Sequence, residues 1–371
     1  MKFINVFQPN LTYKNIYDVN HALFQKEISG TSSVVKQFEE ELAPMFQRTH
    51  AVCLSNGTAA LIVAIQSLDL KEGDEVIVPS FTIISCLLAI HKAGLKAKFC
   101  DVDKYTWNMS LENVKKVYSK NTKAVLMVHT YGLTAEAEEI ESFCIEKNLI
   151  LIEDASEAHG QYYNDRPCGS FGDVSTLSFY ANKHITSGEG GAILINDKKK
   201  YKKIKQMINL DFNNLDRFKH ENFYENYRIS GIAASLGKSQ IKNLKKTIES
   251  KIIQAQVYDS LFQNSQDKVQ LHLKKTISNR NHYWVYGVLI NSAYDRDALI
   301  KFLFENNIES RPFFWPLHLQ PSYLKLNPTK ELDVLEVSVA LGNQGLYLPM
   351  GSHINKKKQQ YVVSKLLEFL N

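Results

Sequence analysis

The run LILIEDASEAHGQYYNDRPCGSFGDVSTLSFYANKHITSGEGGAILIND, residues 149–197, decides how the chain folds. Residues 149–152 have the length and apolar character of a buried strand, so Glu153 and Asp154 emerge at its carboxyl end, where open α/β sheets collect their ligands. A second β-type run, 174–179, brings Ser178 to the same edge. Lys183 follows in a loop that ends in Gly188-Glu189-Gly190-Gly191, and residues 192–195 form a third apolar run. Carboxylate, hydroxyl and amine therefore converge on one edge of a sheet.

That combination suits pyridoxal phosphate, which needs a lysine amine for a Schiff base, an acid for its pyridine nitrogen, and hydrogen-bond donors for its phosphate. Lys183 and Asp154 fit the first two roles. Taken singly, a lysine is more often a solvated surface residue and an aspartate at a strand end is often a helix cap, so residue type alone leaves both readings open. Ser55-Asn56-Gly57-Thr58 poses the same choice. It joins a short apolar run, 51–54, to a helical pattern, 59–68. The free N–H groups at that helix start either receive a phosphate on Gly57 and Thr58, with Ser178 adding a hydroxyl, or belong to an ordinary cap.

Taken together, Ser55-Asn56-Gly57-Thr58-Ala59-Ala60-Leu61, Glu153-Asp154-Ala155-Ser156-Glu157-Ala158-His159-Gly160, Gly172-Asp173, Ser178-Phe179, Lys183, Gly188-Glu189-Gly190-Gly191 and Asn226-Tyr227-Arg228 resemble the signature of the sugar-nucleotide aminotransferases. These are fold-type-I pyridoxal-phosphate enzymes that aminate keto-sugars carried on nucleoside diphosphates. The resemblance spans nearly the whole chain, from Gln8-Pro9 to the run 346–350.

It implies an α/β fold with a mostly parallel central sheet flanked by helices and a smaller C-terminal α+β domain, divided as 1–244 and 245–371. It also implies that Lys183 carries the cofactor and acts as general base and acid, with L-glutamate as amino donor. Glu157 would approach the cofactor's phenolic oxygen and His159 would support Asp154. Asn226 would reach the cofactor phosphate of a neighbouring subunit in a homodimer. Where the family commonly places a ring-stacking aromatic, this chain has Ile83, an apolar cover without a ring quadrupole. Candidate substrate contacts are Thr31, His159, Arg228, Arg311, Phe313 and His318.

Within the family, the pattern is most like that of enzymes aminating C4 of GDP-4-keto-6-deoxymannose, a route to deoxyamino sugars of polysaccharides such as O-antigen. A C3 or dTDP/UDP-sugar aminotransferase is the neighbouring alternative. So is a sugar 3-dehydratase, which carries His in place of the Schiff-base Lys; here Lys183 holds that position and His184 stands one beyond it.

Composition agrees with a large enzyme: 371 residues, 44% of them hydrophobic, can bury a sizeable core. The net charge of +5 is dispersed, and the short runs 198–200 and 356–358 lack the interleaved aromatics of a nucleic-acid surface. Five cysteines without CxxC spacing argue against zinc and a disulfide framework, so no metal is expected. The N-terminus has no apolar stretch of signal-peptide length and no run approaches a membrane span, which suggests the cytoplasm.

In chain order, a polar helical entry, 15–25, precedes the turn 28–33, where Thr31 is either a sugar contact or an N-cap for the helix 34–46. Strand-like runs 75–79, 96–101 and 124–129 alternate with helical patterns, the βαβ rhythm of a covered parallel sheet. His129, at one strand end, either lines the site or is structural. A polar segment, 211–226, and helix 232–244 follow. The C-terminal part then reads as a charged helix 245–262, an aromatic strand 282–290, a helix 297–306 and the loop 310–318, whose aromatics Phe313–Trp315 are either core or site.

Overall fold

Seven of the short strands described in the chain line up into one central sheet because their apolar runs need cover on both faces. In the computed structural model, residues 2–212, 217–328 and 333–371 are described. Part of the polar segment 211–226, residues 213–216, lies outside them.

The strands are β1 (His50–Leu54), β2 (Glu75–Pro79), β3 (Lys96–Cys100), β4 (Thr122–Val128), β5 (Ile150–Asp154), a small ribbon of β6 (Tyr162–Tyr163) and β7 (Arg166–Pro167), then β8 (Val174–Ser178) and β9 (Gly191–Ile195). The central order is β1-β9-β8-β5-β4-β2-β3. Contacts among β2, β3, β4, β5 and β8 are parallel, whereas β9 runs antiparallel to both β1 and β8. This is the α/β, mostly parallel arrangement expected from the alternating runs.

The flanking helices include α1 (Tyr13–Phe24), α2 (Ser33–Met45), α3 (Gly57–Ser67), α4 (Ile84–Lys92), α5 (Leu111–Val117), α6 (Ala137–Lys147) and α7 (Lys198–Met207). Helix α3, GTAALIVAIQS, is apolar almost all round and is correspondingly buried on nearly every side, as a helix inside a large core must be. Its start is fixed by the Asn56 side chain, which accepts from Ala59 N–H at 2.8 Å. Helix α6 stops at Asn148, held in the left-handed region at φ 52°.

After α8 (Gly231–Gln240) and α9 (Leu244–Leu261), a second sheet forms from β10 (Val269–Leu271), β11 (Tyr286–Ile290), β12 (Arg311–Pro312) and β13 (Gly345–Leu348), in the order β10-β11-β13-β12. The run 282–290 is a strand only from Tyr286. Tyr283 sits at φ 51°, and Asn281 Oδ1 accepts its N–H at 2.8 Å, which turns the chain just before Trp284. One buried cluster links α2, α9, the second sheet and the C-terminal helix, through Phe38, Tyr258, Val288 and Leu366. The N-terminus joins it, since Ile4 bridges Ile308 and Glu309 accepts Val6 N–H at 2.9 Å.

Glu153 anchors the sheet from its far side. Wholly buried, it accepts from Gly169 N–H (2.6 Å), Phe171 N–H (2.9 Å) and the Ser175 hydroxyl (2.7 Å), and pairs with His129 Nε2 at 2.9 Å. Arg48 completes the network through Ser175 and the carbonyls of Gly169 and Gly172. Burial raises the Glu153 carboxyl, but His129, Arg48 and the Gly169 N–H outweigh it and leave it below its ordinary value. A carboxylate held down in the fold stabilises it above the unfolded pKa, and that stability is lost as pH falls through the folded pKa. Glu153→Gln is therefore expected to cost about 3–5 kcal/mol at pH 7, because it strands buried charge. The deficit should shrink in acid, as followed by denaturant midpoints; an equal deficit at all pH values would contradict the ion-pair account.

Candidate active site

Alternation along β5 sends Glu153 to one face and Asp154 to the other, where it meets a cavity of about 310 Å³. Asn56, Gly57, Thr58, Thr82, Ile83, Ser85, His129, Asp154, Ser156, Glu157, Ser178, Asn182, Lys183, Trp284, Phe314 and Tyr347 are on its wall. The carboxylate of Asp154 is oriented by Ser156 N–H (3.0 Å) and the Thr176 hydroxyl (3.5 Å) on one oxygen and by the Cys86 thiol (3.6 Å) on the other.

Glu157 lies in the turn after β5 and accepts Tyr131 N–H at 3.1 Å and Lys183 Nζ at 3.3 Å. Tyr131 can aim its N–H there because its backbone is left-handed, φ 63°, an uncommon conformation for a buried aromatic. Burial pushes the Glu157 carboxyl up to about 7, against the pull of Lys183, and burial likewise lowers the Lys183 ammonium, which Glu157 and Asp154 oppose. Burial therefore acts against the charged form of both partners. The Lys183 amine also lies over the Trp284 ring, 3.7 Å from the centroid.

At the opposite end, the start of α3 approaches the Ser178–Gly191 pair of β8 and β9. A Cβ on Gly57 would lie 2.7 Å from Ser178 Cβ, and one on Gly191 would lie 2.5 Å from the Asn56 carbonyl oxygen. Only glycine permits this closeness of backbones. The N–H groups of Gly57 and Thr58, in the first turn, have no intrahelical acceptor, and the Ser178 hydroxyl is beside them: an anion cradle. Amine, acid and anion cradle in one cavity are the donor set that pyridoxal phosphate requires, so the residues present fit it.

The other sequence candidates are elsewhere. Thr31 is exposed and bonded to the Ser29 hydroxyl at 2.9 Å; Ser32, not Thr31, stands at the N-cap of α2. His159 is buried against Phe179 and accepts Ile185 N–H at 3.3 Å, without touching Asp154 among its hydrogen bonds; burial lowers it to about 3, so it is neutral. Asn226 is exposed beside the end of β1, where Ser55 N–H donates to the Tyr227 carbonyl at 2.7 Å, and Arg228 is bonded to Asn209.

Phe313 is core, packed on Trp107, Tyr131 and Phe81, and its neighbour Phe314 faces the cavity instead. His318 is buried and bonded through Nδ1 to the Ser80 hydroxyl at 2.6 Å. Arg311 pairs with Glu309 at 3.0 Å and hydrogen-bonds Tyr347, reaching the cavity only through that tyrosine. His129 both lines the cavity and serves Glu153. Sequence reasoning missed Trp284 and Tyr347, and within the loop 310–318 it singled out Phe313 where Phe314 is the aromatic on the wall. The five cysteines are buried and unpaired, and among the described residues no helix is long and apolar enough to cross a membrane.

The fold and the lysine-centred site define an aminotransferase, a class whose nitrogen transfer runs on pyridoxal phosphate. The chain belongs to the DegT/DnrJ/EryC1/StrS aminotransferase family, whose model matches residues 10–367. It is 34% identical over 369 residues to the GDP-perosamine synthase of Escherichia coli O157:H7, covering 100% of this chain and 99% of that one. It is also 34% identical over 348 residues to the GDP-perosamine synthase of Vibrio cholerae, covering 93% of each. Among solved structures, the aminotransferase TlmJ from Streptoalloteichus hindustanus superposes with a TM-score of 0.91 at 25% identity over 99% of both chains.

Proposed function

We propose that this enzyme transfers nitrogen from L-glutamate to a keto-deoxy-sugar carried on a nucleotide, with GDP-4-keto-6-deoxymannose as substrate and a 4-amino sugar as product. The carrying observation is Lys183 Nζ, 3.3 Å from Glu157 and in the same cavity as Asp154 and the start of α3. The full-length likeness to GDP-perosamine synthases supports the choice of sugar.

When bound, pyridoxal phosphate supplies the electron sink that lets an amino group leave one carbon and join another. Lys183 would hold it covalently at rest and, with its amine free, would take and return the migrating proton. Glu157 keeps that amine in place. Asp154 would pair its charge with the ring nitrogen, Ile83 would cover a ring face, and the Gly57 and Thr58 amides with the Ser178 hydroxyl would receive the phosphate. A sugar 3-dehydratase would need His at the Lys183 position. His184 is buried and does not line the cavity, which favours transamination.

The test is incubation with L-glutamate and a panel of GDP-, dTDP- and UDP-linked 3- and 4-keto-sugars, with products identified by mass spectrometry and NMR. A 4-amino product from the GDP sugar is expected; turnover of only a 3-keto or dTDP/UDP sugar would replace the substrate, and dehydration without amination would replace the reaction.

The active unit in this reading is a homodimer in the cytoplasm, with Asn226 serving the partner's phosphate. Its exposed amide, outside its own chain's cavity wall, supports that role. Asn226→Asp should weaken cofactor retention by setting two anions together. Mixing Asn226→Asp with Lys183→Ala protomers should restore roughly a quarter of the sites by random pairing if sites cross the interface. No recovery despite subunit exchange would assign Asn226 to its own subunit.

A further inference from the structure

The segment 82–86 runs beside the cavity and leads into α4. Thr82, Ile83 and Ser85 are on the cavity wall, where the Ser85 hydroxyl lies 2.7 Å from that of Thr58. Cys86 is different. It is wholly buried, does not line the cavity, and directs its thiol inward, with Sγ 3.6 Å from Asp154 Oδ2. The Thr82 hydroxyl lies 3.8 Å from the same sulfur.

The proton positions follow from the chemistry of the three groups. In the ionised form that its proposed role requires, Asp154 offers only acceptors, so the thiol proton points to it and the sulfur is left as a weak acceptor for the Thr82 hydroxyl. Burial, with the Asp154 charge adding to it, holds the thiol far above its ordinary value, so Cys86 stays a neutral S–H donor. The two oxygens of Asp154 are served unequally. Oδ1 takes Ser156 N–H and the Thr176 hydroxyl, whereas among the described residues Oδ2 takes the thiol alone. A carboxylate has about four acceptor directions, shared equally by its oxygens. The open direction is therefore on Oδ2, the oxygen that Cys86 holds.

We propose that Cys86 is a positioning residue: its thiol, itself held by Thr82, fixes the Asp154 oxygen that would pair with the cofactor's ring nitrogen. This rests on the reading of Asp154 as the ring-nitrogen partner. A neutral, weak donor suits the task, because it orients the carboxylate without cancelling its charge, as a lysine or arginine in that place would.

Two measurements on the full-length protein test this. In protein freed of cofactor, infrared spectroscopy follows the S–H stretching band of Cys86, identified as the cysteine band lost in Cys86→Ala. Asp154→Asn should move that band to higher frequency, because a charged acceptor is exchanged for a neutral and weaker one. In cofactor-loaded protein, the glutamate half-reaction is followed by absorbance per bound cofactor in Cys86→Ala, Asp154→Asn and the double variant. Cys86→Ala should slow it roughly 2- to 10-fold, the worth of one hydrogen bond. Cys86→Ser, which keeps a donor, should stay within about twofold of the parent. In the Asp154→Asn background, Cys86→Ala should cost less than about twofold, because residues that act through one another are not additive.

An unmoved band, a parent-like rate in Cys86→Ala, an equal cost of Cys86→Ala in both backgrounds, or Cys86→Ser as slow as Cys86→Ala overturns the proposal, since a thiol that only fills space is indifferent to the charge of Asp154. Should Cys86→Ala fail to fold, Cys86→Ser identifies the band instead, and its response to Asp154→Asn decides. If Asp154→Asn is itself as fast as the parent, the reading of Asp154 falls and this inference with it. If Asp154→Asn is slow and the two changes simply add, only this inference falls.

Discussion

Lys183→Ala is expected to abolish the visible absorption of bound cofactor and to lower transamination by on the order of 10²–10⁴-fold or more, the usual worth of a positioned acid–base group. The loss has two origins. The Nζ that would hold the cofactor is gone, and so is the amine that would carry the proton. Glu157 is no ready substitute: it is a buried carboxyl with no amine to bond a cofactor, and without Lys183 only the Tyr131 N–H still counters the burial that already pushes it up to about 7. Exogenous small amines should restore part of the rate if proton transfer is the missing step. An unaltered spectrum with undiminished turnover would remove Lys183 from the centre of the site.

Asp154→Asn separates charge from shape. The amide can keep the bonds from Ser156 N–H and the Thr176 hydroxyl through its oxygen, so the end of β5 should stay in place. What disappears is the negative charge that, in the proposed role, would face the ring nitrogen. An opposite charge at ion-pair distance is worth roughly 1–3 pKa units, so turnover should fall roughly 10- to 10³-fold while cofactor occupancy falls far less. Occupancy is read from absorbance after desalting and turnover from a glutamate half-reaction. Equal activity of variant and parent would make Asp154 a cap and place the ring elsewhere.

The half of the site built from consecutive residues was legible in the sequence. Asp154, Ser178 and Lys183 follow from strand ends and one loop, and Gly57 from a strand-turn-helix junction, because period and turn chemistry act locally. Of the aromatic wall, only the loop that carries Phe314 was. Trp284, Phe314 and Tyr347 arrive from the second sheet and its loops, and no local pattern says which of them will meet Lys183.

Phe313 and Phe314 illustrate the difficulty: adjacent residues of an extended segment face opposite ways, and only β12–β13 pairing decides that Phe313 enters the core. Trp284 was hidden differently, inside an aromatic run that reads as strand until the left-handed Tyr283 breaks it. His159 and His318 are polar residues absorbed by packing, a fate that residue type does not reveal.

The most direct measurement is to reduce the purified, cofactor-loaded protein with borohydride, digest it and map the pyridoxyl-bearing peptide by mass. The account predicts the label on Lys183 alone, whereas a label on Lys251 or any other lysine, with Lys183 unmodified, would contradict it.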